Sequence, residues 1–160
     1  MGVLFSGREL INIGIGIERN GAVFYDSLAE STEDSRVKAI YKDLAGQERE
    51  HIGIFENMLS SLSDYQPPET LTDEYEAYMK ALVDSLIFTD DKVARDMARG
   101  VASAVEAIQI ALGAEKDSIL FYTEMRELVR SSDRDAVGKL IAEEKSHLRQ
   151  LTALKHSLTG

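Results

Sequence analysis

Apolar positions recur at the spacing of an amphipathic helix along four long stretches of the chain. The segment INIGIGI, residues 11–17, alternates like a strand, but beyond it the apolar positions fall about 3.6 residues apart. The pattern predicts four long α-helices, which cover about residues 5–32, 34–62, 101–130 and 133–158. Six ionisable side chains interrupt the apolar faces of these helices: Glu18, Glu48, His51, Glu115, Glu144 and His147.

The connections between the helices predict how the helices are arranged. The junctions STEDS (residues 31–35) and RSSD (residues 130–133) are short and polar, and short junctions join antiparallel neighbours. The middle connection, about residues 63–100, contains QPPET, a helical pattern over Leu71–Leu86 and the helix start TDDK. We therefore predict an all-α four-helix bundle, made of two antiparallel hairpins and a long crossover with a short helix. The whole chain, residues 1–160, is predicted to be a single domain.

An internal repeat relates the two predicted hairpins. GIERNGAVFY (residues 16–25) returns 97 positions later as GAEKDSILFY (residues 113–122). LAGQEREHI (residues 44–52) matches LIAEEKSHL (residues 140–148) at an offset of 96. Each hairpin is therefore predicted to be one half of a duplicated unit, with equivalent residues at equivalent heights.

Composition narrows the classes of protein and of chemistry. The 160 residues are 44% hydrophobic and 29% charged, which is typical of a folded globular protein. The net charge of −10 argues against nucleic acid or an anionic membrane as a partner. The absence of cysteine excludes disulfides, iron–sulfur clusters and a rubredoxin-type iron site within this sequence. We expect a cytoplasmic protein, because neither a signal peptide nor a membrane-spanning run is evident.

The four glutamates on the apolar faces are predicted to lie at one height in the bundle. Glu18 and Glu48 are each about 22 Å of helix from the first junction, near Glu33. Glu115 and Glu144 flank the second junction in the same way. Packing the two hairpins together therefore brings four carboxylates to one level of the core.

Such a cluster requires compensating positive charge. A buried, unpaired carboxylate costs several kcal/mol, and no lysine or arginine falls beside the glutamates on the inward faces. His51 and His147 follow their glutamates by three residues, on the same helical faces. Two divalent cations would balance the four carboxylates with both imidazoles neutral. This donor set suits Fe²⁺ or Mn²⁺, whereas zinc more often takes fewer carboxylates or adds thiolate. The cofactor predicted is two iron ions, with manganese or zinc possible in the purified protein.

For the other polar residues near these motifs, the sequence gives less specific predictions. Tyr25 and Tyr122 lie two turns beyond Glu18 and Glu115, and two interpretations stay open. They are either core aromatics with a satisfied hydroxyl or donors of a hydrogen bond to a metal ligand. Four further residues are predicted to face solvent or another subunit: Glu50, Glu106, Glu143 and His156.

These motifs resemble the erythrin-type di-iron domain of the rubrerythrin family, within the ferritin-like superfamily. The resemblance covers about residues 5–62 and 101–158, and it rests on IERNGAVFY, EREH, AEKDSILFY and EEKSH. It implies the fold of a ferritin-like four-helix bundle. It also implies Glu18 and Glu115 as terminal ligands, Glu48 and Glu144 as bridging ligands, and His51 and His147 as one ligand to each metal.

The resemblance implies a non-haem di-iron oxidoreductase that reduces hydrogen peroxide, or dioxygen, as its small-molecule oxidant. Two features depart from the family pattern. Rubrerythrin peroxidases commonly carry an extra glutamate three residues after the third-helix ligand, where this chain has Ser118. They also usually carry a rubredoxin-like tail with four cysteines, and this sequence has no cysteine. The resemblance therefore implies an external, rubredoxin-like electron-donor protein.

Two other functions stay open at this stage. One is ferritin-like oxidation and handling of ferrous iron, although the chain ends soon after His147, where cage-forming ferritins carry a further helix. The other is a metal-stabilised structural bundle that binds a partner. The oligomeric state is also open, with a homodimer as one expectation.

Overall fold

The computed structural model describes residues 5–63, 65–67 and 72–160, and these residues form α-helices and one 3₁₀ turn without any strand. The helices are α1 (Gly7–Ser31), α2 (Ser35–Ser60), α3 (Asp73–Asp84), α4 (Asp91–Arg99), α5 (Ala104–Leu128) and α6 (Arg134–Thr159). The predicted all-α bundle is therefore confirmed. None of the helices in these ranges is long and apolar enough to cross a membrane.

The four long helices form two hairpins, α1 with α2 and α5 with α6. Side-chain caps define where the helices of the first hairpin begin. Ser6 and Glu9 form a reciprocal capping box at the start of α1. Asp34 accepts hydrogen bonds from the N–H groups of Arg36 and Val37 at the start of α2. Because each junction is only a few residues long, the two helices of a hairpin run antiparallel.

The crossover contains two short helices, α3 and α4. α3 follows the predicted helical pattern and packs on α5, where the Tyr75 hydroxyl donates to Glu124 at 2.8 Å. α4 begins within the TDDK sequence, with Asp90 as its cap, and packs on α1. Residues 68–71, which include most of QPPET and the predicted start at Leu71, lie outside the described residues.

The segment INIGIGI belongs to α1 and is helical, because it packs against α2 and not within a sheet. At Gly14, the space of the missing side chain is occupied by the ring of Phe55 on α2. A Cβ built at Gly14 would lie 2.9 Å from Cζ of Phe55, closer than real Cβ contacts. Glycine at this position therefore allows an aromatic ring to lie directly on the helix backbone.

Apolar side chains form two clusters that lie at different heights in the bundle. One cluster includes Phe24 and Leu151, and the other includes Phe55 and Phe121. On every long helix, a stretch of one to two turns separates the residues of the two clusters. The interrupting glutamates and histidines lie in these stretches, so that each faces the polar middle of the bundle with an apolar core on either side.

Candidate metal centre

Six buried side chains from the four long helices meet in the middle of the bundle. They are Glu18, Glu48, His51, Glu115, Glu144 and His147. None is more than 4% exposed, although ionisable side chains are rarely buried without a partner. The helical period explains the convergence, since each residue lies on the apolar face of its own helix and near the middle of that helix.

One half of the cluster surrounds Nδ1 of His51. This nitrogen lies 3.4 Å from Oε1 of Glu18, 3.8 Å from Oε2 of Glu48 and 2.9 Å from Oε1 of Glu144. The four side chains offer donor atoms that all lie within 4.8 Å of one another. Three carboxylates and one imidazole thus face a common point.

The other half surrounds Nδ1 of His147. This nitrogen lies 3.2 Å from Oε1 of Glu48, 3.4 Å from Oε1 of Glu115 and 3.4 Å from Oε2 of Glu144. Glu48 and Glu144 therefore turn one oxygen toward each histidine, and the two halves share them. The imidazole rings of His51 and His147 are nearly parallel, with centroids 5.8 Å apart.

The outer nitrogens of the two histidines contact different chemical groups. Nε2 of His51 is hydrogen-bonded to the carboxylate of Glu143. Nε2 of His147 lies 2.7 Å from Oε1 of Gln47, whose amide donates in turn to Asp43 at 2.7 Å. A hydrogen bond at Nε2 fixes the orientation of the imidazole and leaves Nδ1 free to bind a metal.

The position of Glu143 corrects the sequence prediction. Glu143 was expected to face solvent, and its side chain is half-exposed, but its carboxylate reaches His51 across the hairpin interface. Gln47 was not predicted at all. Both residues directly precede a shared glutamate and are equivalent in the repeat. That equivalence is the signal that could have identified them.

The two tyrosines connect the hairpins to each other. The Tyr25 hydroxyl donates to Oε1 of Glu115 at 2.6 Å, and the Tyr122 hydroxyl donates to Oε1 of Glu18 at 2.7 Å. Each tyrosine therefore holds the glutamate of the opposite hairpin. Of the two interpretations left open by the sequence, the structure supports the hydrogen bond to a candidate ligand.

Burial and crowding of like charges shift the pKa values of the cluster. Burial, reinforced by the neighbouring Glu144, raises the pKa of Glu115 to about 8. Burial alone lowers the pKa of His51, but the carboxylates of Glu144 and Glu18 outweigh it and raise the pKa to about 11. Burial likewise lowers the pKa of His147, which Glu115 and Glu144 raise to about 10. The side chains of the cluster therefore create an electrostatic field that strongly favours positive charge between them.

Burial also acts on the two tyrosines. It raises the pKa of Tyr25 well above its ordinary value, and the charge of Glu115 adds to the effect. It raises the pKa of Tyr122 in the same way, with the charge of Glu18 as the next cause. Both hydroxyls therefore stay protonated and act as hydrogen-bond donors to their carboxylates.

Several buried carboxylate oxygens and imidazole nitrogens of the cluster have no hydrogen-bond partner among the described residues. They are Oε2 of Glu18, Nδ1 of His51, Oε2 of Glu115, both oxygens of Glu144 and Nδ1 of His147. Unpartnered buried polar atoms are costly, and here they converge on two points and are not scattered.

The charges of the cluster, like its unpartnered atoms, indicate a site for bound cations. Within the described ranges, no lysine or arginine forms an ion pair with any of the four glutamates. Two divalent cations would satisfy the convergent atoms and balance four negative charges. Carboxylate oxygen combined with imidazole nitrogen is the donor set of ferritin-like di-iron and di-manganese proteins. The residues therefore fit a binuclear metal site.

The remaining predicted candidates, Glu50, Glu106 and His156, do not belong to this cluster. Glu50 and His156 are exposed. Glu106 is exposed at the start of α5, where its carboxylate accepts a hydrogen bond from the N–H of Ala102 at 2.9 Å. Ser118, at the position of the extra family glutamate, is buried and its hydroxyl donates to the carbonyl of Ala114. None of these side chains contributes a charge to the site.

Comparisons with known proteins agree with this geometry. A family model described as Rubrerythrin matches residues 9–155. A protein from Thermotoga maritima, described as a ferritin-like diiron-carboxylate protein, is 27% identical, with a TM-score of 0.68 and 98% of each chain covered. A hypothetical protein from Pyrococcus furiosus shares the fold at 20% identity, with a TM-score of 0.65 and coverage of 97% of this chain and 91% of its own. No curated protein matches the sequence. Because the family model spans most of the chain, this protein belongs to the rubrerythrin family.

Proposed function

We propose that this protein is a di-iron oxidoreductase that reduces hydrogen peroxide with electrons from a separate donor protein. The observation that carries the proposal is the pair of four-residue groups that share Glu48 and Glu144. The family and the buried carboxylate and histidine cluster fit a di-iron protein. The choice of peroxide as the oxidant is our inference.

Each iron would have its own terminal ligands and would share the bridging ones. Glu18 and His51 would hold one ion, and Glu115 and His147 would hold the other, with Glu48 and Glu144 between them. A bound diferrous pair would supply the two electrons that, with two protons, convert hydrogen peroxide into two molecules of water. The rest of the proposal concerns what the side chains of this chain do.

The surrounding side chains hold the ligands in place. Tyr25 and Tyr122 fix one oxygen of each terminal carboxylate, so that the other oxygen keeps its direction. Glu143 and Gln47 fix the two imidazoles through Nε2. The apolar clusters on either side exclude bulk water, which strengthens electrostatic interactions within the site.

Electrons must reach the site from outside the sequence described here. The chain contains no cysteine that could bind a rubredoxin-type iron, so a separate redox protein is the proposed donor. A rubredoxin-like protein is the kind of donor that the family resemblance suggests.

The proposal is tested by oxidation of the iron-loaded, anaerobically reduced protein. We expect rapid development of diferric absorption on mixing with hydrogen peroxide and much slower development with air-saturated buffer. The variant Glu50→Gln, an exposed glutamate on the same helix as Glu48, serves as the control and should behave like the wild type. Oxidation by neither reagent would contradict the proposal. Faster oxidation by oxygen than by peroxide would favour iron handling.

A further inference from the structure

A small cavity lies beside the metal centre, where α1 and α5 face the crossover. Its volume is about 30 Å³, and roughly 10–15 Å³ on the same measure is enough for one water molecule. Its walls include Glu48 and Glu115 of the cluster, Gly21 and Ser118 of the neighbouring helices, and two residues, Leu86 and Phe88, of the crossover segment Leu86–Phe88. We call this segment the strap. The cavity thus connects the strap with two carboxylates of the site.

Two small residues also line the cavity. Gly21 and Ser118 each follow a terminal glutamate by three residues and are equivalent in the repeat. A Cβ built at the partly exposed Gly21 would lie 3.7 Å from the carboxylate carbon of the buried Glu48. The Ser118 hydroxyl is satisfied by the carbonyl of Ala114 at 3.1 Å. A larger residue at either wall position would fill the cavity.

Both hairpins hold the strap in place. The side-chain amide of Asn20 donates to the carbonyl of Phe88 at 3.3 Å. The N–H of Ile87 donates to the carboxylate of Asp117 at 2.8 Å. Asn20 and Asp117 are equivalent in the repeat, and each directly precedes a small wall residue. The ring of Phe88 also packs on Phe24, with centroids 4.7 Å apart, so the strap is fixed by hydrogen bonds and by packing.

We propose that this cavity is where a small neutral oxidant reaches the metal centre, and that the strap limits its size. For the identity of the oxidant, the proposal rests on the proposed function. Glu48 and Glu115 line the cavity on the side of the cluster, and Leu86 and Phe88 give an apolar wall that disfavours charged molecules. The volume suits a molecule of two or three heavy atoms, such as hydrogen peroxide, and excludes aromatic hydroperoxides.

The first test fills the cavity and measures ligand entry without turnover. Nitric oxide, a neutral diatomic molecule, is mixed in a stopped-flow spectrometer with the anaerobic, ferrous-loaded protein. In Ser118→Leu we expect the association rate to fall roughly tenfold, because the added atoms occupy a space of water size. Iron content, measured by mass spectrometry, should stay at the wild-type value. An unchanged rate with wild-type iron content would overturn the proposal.

Two further variants keep this test decisive. Thr123→Leu adds the same side chain at an exposed position of α5, and it should bind nitric oxide as the wild type does. Gly21→Ala adds one carbon at ordinary contact distance from Glu48 and is expected to fold even if Ser118→Leu does not. It should slow association roughly threefold, and wild-type kinetics in Gly21→Ala would count against the cavity as the route.

The second test releases the strap. Asn20→Ala combined with Asp117→Ala removes both hydrogen bonds. Hydrogen exchange at the N–H of Ile87 should accelerate, with or without metal. The rate with cumene hydroperoxide, relative to hydrogen peroxide, should rise roughly fivefold. Faster exchange with an unchanged rate ratio would show that the strap does not set the size limit.

The two proposals fail in distinguishable ways. Entry of nitric oxide does not require reduction of peroxide. Slowed nitric oxide binding in Ser118→Leu, in a protein that never reacts with peroxide, would therefore contradict the proposed function and leave the cavity as the entry site. Rapid peroxide reduction by the wild type, with unaltered nitric oxide kinetics in Ser118→Leu, would support the proposed function and contradict the cavity as the entry site.

Discussion

The two hairpins agree at the residues that face the metal centre and differ at the residues that surround them. Each hairpin contributes one isolated glutamate, one Glu-x-x-His pair and one tyrosine, all at equivalent positions of the repeat. Among the surrounding residues, the repeat aligns Gln47 with Glu143, Gly21 with Ser118, and Asn20 with Asp117. The demands of a binuclear site explain the agreement, because both halves must supply the same number of donor atoms.

The differences make the two halves chemically unequal. His51 is backed by a carboxylate, whereas His147 is backed by a neutral amide. A carboxylate partner makes an imidazole a stronger electron donor to a metal. The cavity touches Glu115 of one half but not Glu18 of the other. We therefore expect two metal positions with the same ligand types but with unequal affinity and unequal access.

The largest expected effect is a difference in metal affinity between variants of a shared ligand and variants of an unshared one. Because Glu144 belongs to both groups, Glu144→Ala should weaken binding at both positions, whereas Glu18→Ala should weaken only one. At a metal concentration about 100-fold above Kd, a bound ion contributes about 2.7 kcal/mol to the free energy of unfolding. Metal titration followed by calorimetry and thermal unfolding measures both quantities. Equal behaviour of the two variants would show that the carboxylates are not shared.

Removal of metal from the wild type provides the reference for these variants. Chelation should lower Tm and accelerate hydrogen exchange first in the middle of α1, α2, α5 and α6, where the unpartnered atoms lie. The ends of the bundle, which are held by the two apolar clusters, should keep their protection longer. Uniform loss of protection along all four helices would contradict a centre located between the clusters.

The next effect should come from making the two halves alike. Glu143→Gln gives both histidines an amide partner, so the metal position at His51 should lose affinity roughly tenfold, the lower end of the range for such partners. Cobalt(II) titration followed by absorption should then show two sites of similar affinity in place of two unequal ones. Glu50→Gln, an exposed glutamate on α2, is the matched control. If the two sites keep their unequal affinities in Glu143→Gln, the carboxylate of Glu143 is not the cause of the difference.

The tyrosines should show a more symmetrical effect, on the free energy of unfolding and not on metal affinity. Tyr25→Phe and Tyr122→Phe each remove one hydrogen bond to a buried carboxylate. Hydrogen bonds to charged groups contribute about 1.5–3 kcal/mol, so both variants should lose a similar amount of stability. Urea unfolding at a fixed metal concentration provides the measurement. A loss at Tyr25 alone would show that the two connections between hairpins are not equivalent.

The fold and the inner residues of the site could be predicted because both depend on local periodicity. The 3.6-residue pattern places Glu18, Glu48, Glu115 and Glu144 on apolar faces, and the repeat sets them at one height. The alternating INIGIGI segment shows the limit of such patterns. The ring of Phe55 packs at Gly14 from another helix, and the local alternation carries no signal of that contact.

The surrounding residues could not be predicted because their partners lie across helix interfaces. Glu143 appears solvent-facing on its own helix, and only the lateral position of α2 against α6 brings it to His51. The strap is a similar case. Its bonds join Asn20 to Phe88 and Asp117 to Ile87, which are distant in sequence and carry no periodic signal. Only the packing of the crossover on α1 and α5 determines these contacts.

The smallest effect concerns a pair of glycines that are equivalent in the repeat, Gly16 and Gly113. A Cβ at Gly16 would meet nothing within 4 Å, so Gly16→Ala should stabilise α1 by about 1 kcal/mol through helix propensity. A Cβ at Gly113 would clash with Cδ1 of Ile87 in the strap, so Gly113→Ala should gain less. Urea unfolding of both variants measures the difference. Equal gains would mean that the Ile87 side chain turns away from the new methyl group without cost, whereas a smaller gain at Gly113 would show that the packing around Ile87 holds its side chain in place.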